Sequence, residues 1–376
     1  MELRHGLVSV DDHVQETPHV WTSRVSQSRW GHLVPQIETL QSGQQRWIVN
    51  GQPISRPGIA SVGALISDPV REPQCWEDVP EAAYVPEERL KAMDVDKVDY
   101  TVLYPNVAGL AGEVLARIDN PELELACVQA YNDWIIEEWA ATSPRLIPQC
   151  IVPLSSLEVA AKEIQRSVSK GHRGVVFPAV PMHLRNLPHI NEPEYDVIWE
   201  TCQDLEVPIG FHAGSSPRLQ FPAFEGLSPG QSSALESITR PISSVPVVAN
   251  LLYSRILMRF PRLKVVFAET TLTWATYILE LADHQFERQR LIHDRYTMTP
   301  SEMFRQSCYF TGWYDRTGIR TRHSIGVDNI MWGTSFPLAT SAWPESAKYI
   351  ERCFEGVPTE ERNQMLFGNA VSLYKI

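Results

Sequence analysis

The sequence predicts an α/β fold, a (β/α)8 TIM barrel, because short apolar segments alternate with longer helical patterns along the chain. The segments that we interpret as strands are residues 7–10, 100–104, 146–152, 174–177, 207–211, 263–268, 308–311 and 330–333. Several of them, including RGVVFP and KVVFAE, lack polar alternation, which is typical of parallel strands covered on both faces. Helical periodicity is clearest over 121–142, 156–170 and 274–292. We therefore expect a single domain over residues 1–376, built on a closed barrel.

Composition narrows the class of protein. The chain has 376 residues, 43% of them apolar, which suits one large barrel with insertions and excludes a disordered polypeptide. A net charge of −12 without a strong Lys/Arg block argues against nucleic acid as a partner. No segment approaches the roughly 20 apolar residues of a membrane helix, and the amino terminus has acids where a signal peptide has its apolar core. The six scattered cysteines form no CxxC pair, so we expect a soluble, cytoplasmic protein.

Two segments interrupt the alternation. Residues 17–88, after the first strand, are rich in Trp and Pro, and RWIVNGQPI predicts a hairpin with Asn-Gly at its turn. A second segment, 214–246, follows the fifth strand. Both leave the carboxyl ends of strands, where barrels keep their sites, so we expect both to lie over the mouth. The tryptophans of the first insertion either cover the site or pack the insertion itself.

Acidic residues and histidines follow three of the predicted strands. Asp11 and His13 are spaced i, i+2, so they share one face of the first strand, whereas Asp12 points the other way if the strand continues. Glu16 follows one helical turn later. A solvated acidic loop is the plainer interpretation of this segment alone.

The other two strands end in His212 and Glu269. A single histidine after a buried strand is more often structural than a ligand. A carboxylate that closes an apolar strand needs a cation or hydrogen-bond donors nearby. Because the barrel brings all these strand ends to one mouth, their joint occurrence predicts a functional site there.

Motifs across nearly the whole chain resemble those of the amidohydrolase-related metal enzymes (amidohydrolase family 2). They are SVDDHVQETPHVW, RLKAMDVDKVDYTVLYPN, VPIGFHAGSS, FPRLKVVFAETTLTWATYILELAD, IGVDNIMWGTSFPLATSAWP and GNAVSLY. The resemblance implies a metal-binding (β/α)8 barrel and an activity among hydrolases and non-oxidative decarboxylases. It also implies Asp11 and His13 as metal ligands on the first strand and His212 on the fifth. Glu269 takes the place of the family's histidine on the sixth strand.

The eighth strand departs from the family pattern. The family's G-[ST]-D-[FY]-P segment carries an aspartate that binds the metal and accepts a proton from bound water, but this chain has Ser335 at that position. A neutral hydroxyl is a weak ligand and a poor general base near neutral pH. The ordinary hydrolytic mechanism is therefore in doubt.

Counting donors leads to a different expectation. Four carboxylates and two imidazoles match a di-iron carboxylate site: Asp11, Asp12, His13, Glu16, His212 and Glu269. Because the set is rich in oxygen, we expect one or two iron ions, with two favoured and with manganese or zinc as alternatives. The branch of this family with nonheme di-iron monooxygenases then implies hydroxylation of a bulky acyl or CoA-linked substrate. Our candidates for catalytic residues are Glu269 and Ser335, and Ser335 would line the site or orient a water.

Two further interpretations stay open. One is a hydrolase or non-oxidative decarboxylase with a single metal ion, in which Glu269 is the base that Ser335 cannot be. The other is a catalytically inactive barrel that binds a small molecule. The basic cluster Arg316, Arg320, Arg322 and His323 is either a phosphate contact, as CoA would need, or a solvated helix start. The oligomeric state, including a homo-oligomer, is not determined by the sequence.

Overall fold

The computed structural model describes residues 3–58, 73–219 and 225–376. Parts of both predicted insertions, 59–72 and 220–224, lie outside the described residues. The strands are β1 Val8–His13, β2 Gln36–Thr39, β3 Gln45–Val49, β4 Gln52–Ser55, β5 Tyr100–Tyr104, β6 Leu146–Cys150, β7 Gly174–Val176, β8 Ile209–His212, β9 Val265–Ala268, β10 Cys308–Gly312 and β11 Ile330–Trp332.

Helices pack between and around these strands. They are α1 His19–Thr22, α2 Gln27–Trp30, α3 Pro86–Val95, α4 Pro121–Trp134, α5 Leu157–Lys170, α6 Asp196–Asp204, α7 Pro229–Ile242, α8 Val245–Tyr253, α9 Ile256–Arg259, α10 Thr273–Arg288, α11 Pro300–Ser307, α12 Arg316–Arg320, α13 Arg322–Ile325, α14 Ser346–Cys353, α15 Thr359–Asn363 and α16 Asn369–Tyr374. Their local signals follow the sequence: α5 begins at Ser156, whose side chain accepts a hydrogen bond from the Val159 N–H, and ends at Gly171 with φ +115°.

Eight parallel strands form the barrel in the order β1-β5-β6-β7-β8-β9-β10-β11. The barrel closes where the His13 N–H donates to Phe336 O and the Ser335 N–H donates to Asp11 O, both at 2.7 Å. Each predicted strand overlaps one of these eight, so the (β/α)8 TIM barrel is confirmed. Closure also brings Asp11 beside the chain that follows β11, since a Cβ at Gly333 would lie 2.8 Å from the Asp11 Cβ.

The strand interiors supply the core. Every residue of β1, β5, β6 and β8 is buried, as parallel strands covered by helices require. Phe267 on β9 packs against Phe211 at 5.8 Å and Phe310 at 5.5 Å between ring centroids. This packing fixes the ends of β8 and β9, which carry His212 and Glu269.

The first insertion contains the predicted hairpin. Strands β2, β3 and β4 form an antiparallel sheet, and the turn between β3 and β4 has positive φ at Asn50 and Gly51, 51° and 71°. Trp47 packs edge-to-face against Trp21 at 5.7 Å and Trp76 at 6.5 Å. These three tryptophans form a cluster within the insertion, which supports the second of the two interpretations given for them. Across the described part of the chain, no helix combines the length and hydropathy that spanning a bilayer requires.

Candidate metal centre

Three buried side chains converge at the carboxyl ends of β1 and β8. Nε2 of His212 lies 3.2 Å from Oδ1 of Asp11, and Nε2 of His13 lies 3.6 Å from the same oxygen. One ligand atom from each residue lies within 4.8 Å of the other two. Asp11 and His13 share a face because they are two residues apart on β1, as predicted.

The outer nitrogens of both imidazoles face backbone carbonyls. Nδ1 of His212 is 2.7 Å from Ala213 O, and Nδ1 of His13 is 3.5 Å from Pro105 O. A proton on each Nδ1 satisfies these carbonyls and leaves the lone pair of each Nε2 directed at Asp11. Metal-binding histidines are oriented in this way.

Two lone pairs facing one carboxylate repel it unless a positive charge lies between them. Nε2 of His13 has no hydrogen-bond partner among the described residues, although it is fully buried. Burial holds the pKa of His13 down at about 3, so a proton does not supply that charge there. Burial also opposes protonation of His212, but the carboxylate of Asp11 outweighs it and raises the pKa of His212, so a proton on Nε2 of His212 can occupy the place that a metal ion would take. One oxygen of the buried Asp11 carboxylate and the two Nε2 nitrogens that face it form a ligand set that suits a divalent metal ion.

Ser335 contacts the other oxygen of Asp11. Its hydroxyl donates a hydrogen bond to Oδ2 at 3.1 Å, from a turn in which Ser335 itself has φ +52°. This leaves Oδ1 directed at the two imidazoles. The residue in the family's aspartate position therefore orients a ligand and adds no charge to the site.

Glu269 lies on the far side of His212 from Asp11. Its Oε2 is 3.8 Å from Nδ1 of His212, and each of its carboxylate oxygens is 3.4 Å from Nη1 of Arg240. Burial raises the pKa of Glu269, and the charge of Arg240 opposes that shift. The expectation that this carboxylate has a cation nearby is confirmed. Its expected place among the metal ligands is not, because the carboxylate faces the Nδ1 side of the ring.

Asp12 points away from the cluster, as strand alternation requires. Its oxygens accept hydrogen bonds from Thr101 Oγ1 at 2.6 Å, Ser9 Oγ at 2.8 Å and the Phe336 N–H at 3.2 Å, as well as from Thr334 Oγ1. The carboxylate thus joins β1, β5 and the end of β11. Its oxygens are used in this way for protein groups, and Asp12 does not belong to the group of possible ligands formed by Asp11, His13 and His212.

Glu16 is also engaged elsewhere. Its carboxylate accepts hydrogen bonds from the N–H groups of Val107 at 2.8 Å, Ala108 at 3.1 Å and Asn106 at 3.2 Å. Burial raises the pKa of Glu16 to about 6 despite these donors. The carboxylate holds the loop after β5 in place. The predicted di-iron set of four carboxylates is therefore not brought together by the fold.

Among the described residues, Arg240 is a site residue that the sequence analysis did not name. It lies on α7, 28 positions after His212, in a segment without a recognisable motif. The one signal for it was the need of Glu269 for a positive partner. Two arginines of the predicted basic cluster already pair with carboxylates: Arg316 with Glu355 and Arg322 with Glu361. This pairing favours a solvated helix start over a phosphate site.

Comparison with known proteins agrees with this architecture. The amidohydrolase family model matches residues 30–376, so the chain belongs to the amidohydrolase family. Among curated proteins it is 24% identical over 310 residues to a γ-resorcylate decarboxylase of Polaromonas sp. (strain JS666 / ATCC BAA-500), covering 78% of this chain and 88% of that protein.

Solved structures share the fold. The amidohydrolase map2389c of Mycobacterium avium subsp. paratuberculosis K-10 has a TM-score of 0.79 at 18% identity, covering 99% of this chain and 100% of that one. The 5-carboxyvanillate decarboxylase LigW of Sphingomonas paucimobilis has a TM-score of 0.68 at 19% identity, with full coverage of both chains at 100%. A dihydroxybenzoic acid decarboxylase of Polaromonas sp. JS666, with bound manganese and 2-nitroresorcinol, has a TM-score of 0.66 at 17% identity, covering 99% and 97%.

Family and site together define a metal-dependent enzyme of the amidohydrolase family. The relatives described above include decarboxylases and no oxygenase. The metal named in one of them is manganese. Nothing in these comparisons supports iron, a monooxygenase reaction or a CoA-linked substrate, so those expectations lose their basis.

Proposed function

We propose that this protein is a metal-dependent, non-oxidative decarboxylase of a hydroxylated aromatic acid. The observation that carries the proposal is the buried Asp11 oxygen faced by Nε2 of both His13 and His212. Support for the reaction comes from the γ-resorcylate decarboxylase relative, whose alignment extends over 78% of this chain. Three protein ligands would leave coordination positions open for a substrate.

Asp11, His13 and His212 would hold one divalent metal ion. When bound, the metal would supply positive charge that fixes an anionic substrate oxygen and stabilises negative charge that develops during the reaction. We favour manganese over iron because a relative with this fold contains it and because the ligand set has no thiolate.

Decarboxylation needs one bond to break and one proton to be delivered. The bond between the ring carbon and the carboxylate carbon breaks, CO₂ leaves, and the electron pair stays with the ring carbon, which then takes a proton. We assign the proton transfer to Glu269, the carboxyl group on the other side of His212 from Asp11. Decarboxylation in this form requires no redox partner.

Ser335 has a positioning role in this proposal. Its hydroxyl hydrogen is directed at Asp11 Oδ2, so the group is committed to orienting a ligand. A serine hydroxyl also cannot accept a proton near neutral pH as the family's aspartate does. In this proposal, the group that transfers the proton lies at the end of the sixth barrel strand, as Glu269. It replaces the aspartate that the family has after the eighth strand, where this chain has Ser335.

One observation favours a second candidate, a barrel that binds a ligand without chemistry. A barrel that had lost catalysis would keep its metal ligands but lack the family's catalytic carboxylate, and this chain has Ser335 at that position. This candidate predicts metal binding with no turnover of any acid.

The test is CO₂ release by Mn²⁺-loaded protein from a panel of hydroxybenzoates that includes 2,6-dihydroxybenzoate, with oxygen uptake followed in parallel. We expect CO₂ and the decarboxylated phenol in equal amounts, no oxygen uptake, and loss of activity in Asp11→Asn. Ester or lactone hydrolysis without CO₂ release would instead identify a hydrolase. A metal-loaded protein inactive on the whole panel would contradict the proposal.

A further inference from the structure

We propose that Arg240 is the specificity-determining residue of this site and that it binds the anionic group of the substrate. The inference rests on the proposed function, because it names the group that an aromatic acid presents to the protein. It starts from the position of Arg240, whose side chain is only 17% exposed and lies beside the metal cluster. A buried cation at the mouth of a barrel is costly unless it has anionic partners.

Arg240 approaches the metal cluster from the side of His212 on which Glu269 lies. Nε2 of the His212 ring faces Asp11, and Nδ1 faces Glu269, which in turn contacts Arg240. The guanidinium of Arg240 is therefore connected to the metal cluster through Glu269 and the ring of His212. A small aromatic acid with more than one oxygen substituent could bind the metal ion through one substituent and Arg240 through another.

The contacts between Arg240 and Glu269 are long. A single nitrogen, Nη1, lies 3.4 Å from each carboxylate oxygen, whereas a charge-assisted N–H···O bond is about 2.7–2.9 Å. The pair does not use the planar fork that makes guanidinium–carboxylate pairs strong. The second nitrogen, Nη2, pairs with Glu236 one turn earlier on α7, and the Glu236 side chain is 54% exposed. Arg240 is thus held in the mouth without a bidentate partner among these contacts.

The backbone around Arg240 is built to hold it there. The Gly214 N–H donates to Ser243 Oγ at 3.4 Å, and Ser243 Oγ donates to Arg240 O at 2.6 Å. Gly214 has φ +86°, and a Cβ on it would lie 3.1 Å from the Arg240 Cδ. The loop that leaves His212 therefore passes directly against the stem of Arg240, which ties the cation to a metal-ligand strand.

Charge balance favours an anion at this place. A divalent cation and Arg240 would bring three positive charges, Asp11 and Glu236 bring two negative ones, and Glu269 is neutral while it holds the proton that it transfers. One carboxylate from the substrate would neutralise the remainder.

The experiment compares an acid with its neutral amide. Binding of 2,6-dihydroxybenzoate and 2,6-dihydroxybenzamide to Mn²⁺-loaded protein is measured by calorimetry for wild type, Arg240→Gln and Arg240→Lys. We expect Arg240→Gln to weaken binding of the acid roughly 10- to 100-fold, with little change for the amide. Arg240→Lys keeps the charge but not the fork, so its loss should be smaller.

The control is Arg259→Gln, which removes an arginine paired with Asp196 before β9, at the other end of the barrel. It should bind the acid as wild type does. Because Arg240→Gln leaves Glu269 buried without its cation, the double variant Arg240→Gln/Glu269→Gln repeats the measurement without that charge. The affinity for Mn²⁺, measured alongside, should be the same in Arg240→Gln and in the double variant as in wild type.

The assignment is overturned if wild type shows no preference for the acid over the amide, or if Arg240→Gln keeps that preference. Failure of the proposed function has a different signature. A wild type that prefers the acid through Arg240 but releases no CO₂ from any panel member retains the anion site and loses the decarboxylase reaction.

Discussion

The hydroxyl of Ser335 donates a hydrogen bond to Oδ2 of Asp11 at 3.1 Å, although the two residues are 324 positions apart in the chain. The contact exists because the barrel closes between β1 and the segment after β11. Oδ2 of Asp11 accepts the hydrogen bond from Ser335, and Oδ1 faces the imidazoles of His13 and His212. A residue that looked like the loss of a catalytic group is thus a partner of a metal ligand.

Removing that hydroxyl should weaken metal binding. Ser335→Ala leaves Oδ2 of Asp11 without this donor and free to rotate, so we expect Mn²⁺ affinity to fall about 10- to 100-fold, as for other hydrogen-bond partners of metal ligands. Calorimetric titration of metal-free protein measures the effect. Ser169→Ala, on the exposed side of α5, serves as the control. An unchanged affinity in Ser335→Ala would show that the hydrogen bond does not orient the ligand.

The imidazoles should be required for the metal itself. Replacing His13 or His212 by Gln removes one of three ligands, and we expect the bound Mn²⁺ per chain to drop to background after gel filtration. His172 is also buried but lies outside the cluster, with Nδ1 2.9 Å from Ser167 O. His172→Gln should therefore retain metal. Elemental analysis decides the matter, and a full complement of metal in His212→Gln would refute the assigned ligand set.

Asp12 should matter for stability and not for metal content. Asp12→Asn places an amide where the carboxylate accepts from Ser9, Thr101 and Thr334, next to the buried charge of Arg89. We expect the free energy of unfolding to fall by about 3 kcal/mol, as for other broken buried charge networks. Urea denaturation gives the value, with Asp204→Asn as a surface control within about 0.5 kcal/mol.

Metal analysis of the same Asp12 variant separates the two roles. A folded Asp12→Asn protein that loses half of its metal would restore the prediction of a second metal ion. A folded protein with unchanged metal content would confirm that Asp12 joins the strands.

The free energy of unfolding should decrease as the pH falls, in part because of His172. Burial lowers the pKa of His172 to about 4, from an ordinary value of 6.5, and its Nε2 has no partner among the described residues. Above pH 6.5 the ring is neutral in both states. Between about pH 6.5 and 4 the unfolded chain binds a proton that the folded one excludes, so this group costs about 1.4 kcal/mol per pH unit.

His172→Asn tests this contribution. Its amide can donate to Ser167 O in place of Nδ1, but it does not titrate. In the presence of EDTA, the variant should lose less stability than wild type as the pH falls from 7 to 4.5. Parallel curves of unfolding free energy against pH would rule out His172 as the source.

Local patterns predicted much of the fold. Each of the eight strands was visible as an apolar segment, and the Asn50-Gly51 turn followed from its residue types. The i, i+2 spacing placed Asp11 and His13 on one face, and the same alternation indicated that Asp12 would face away. Such features depend on residues that are neighbours in the chain, so composition and period are enough to predict them.

The choice among carboxylates could not be predicted in the same way. Glu16 had the right chemistry for a ligand, but three N–H groups of the loop after β5 bind it instead. Glu269 ended the right strand, but its backbone, with φ +54°, and Arg240 hold its carboxylate on the Nδ1 side of His212. Both outcomes depend on loop conformations between residues distant in sequence.

The sequence by itself determined the barrel, the mouth at which its polar strand ends meet, and the family to which the chain belongs. Tertiary structure decided which of six candidate donors meet: Asp11, His13 and His212 converge, and the rest bind protein groups. The reason is physical. The residue type of a carboxylate limits the groups that it can bind. Which buried donor it contacts depends on how the chain folds, because a buried carboxylate without donors or a cation costs free energy of desolvation.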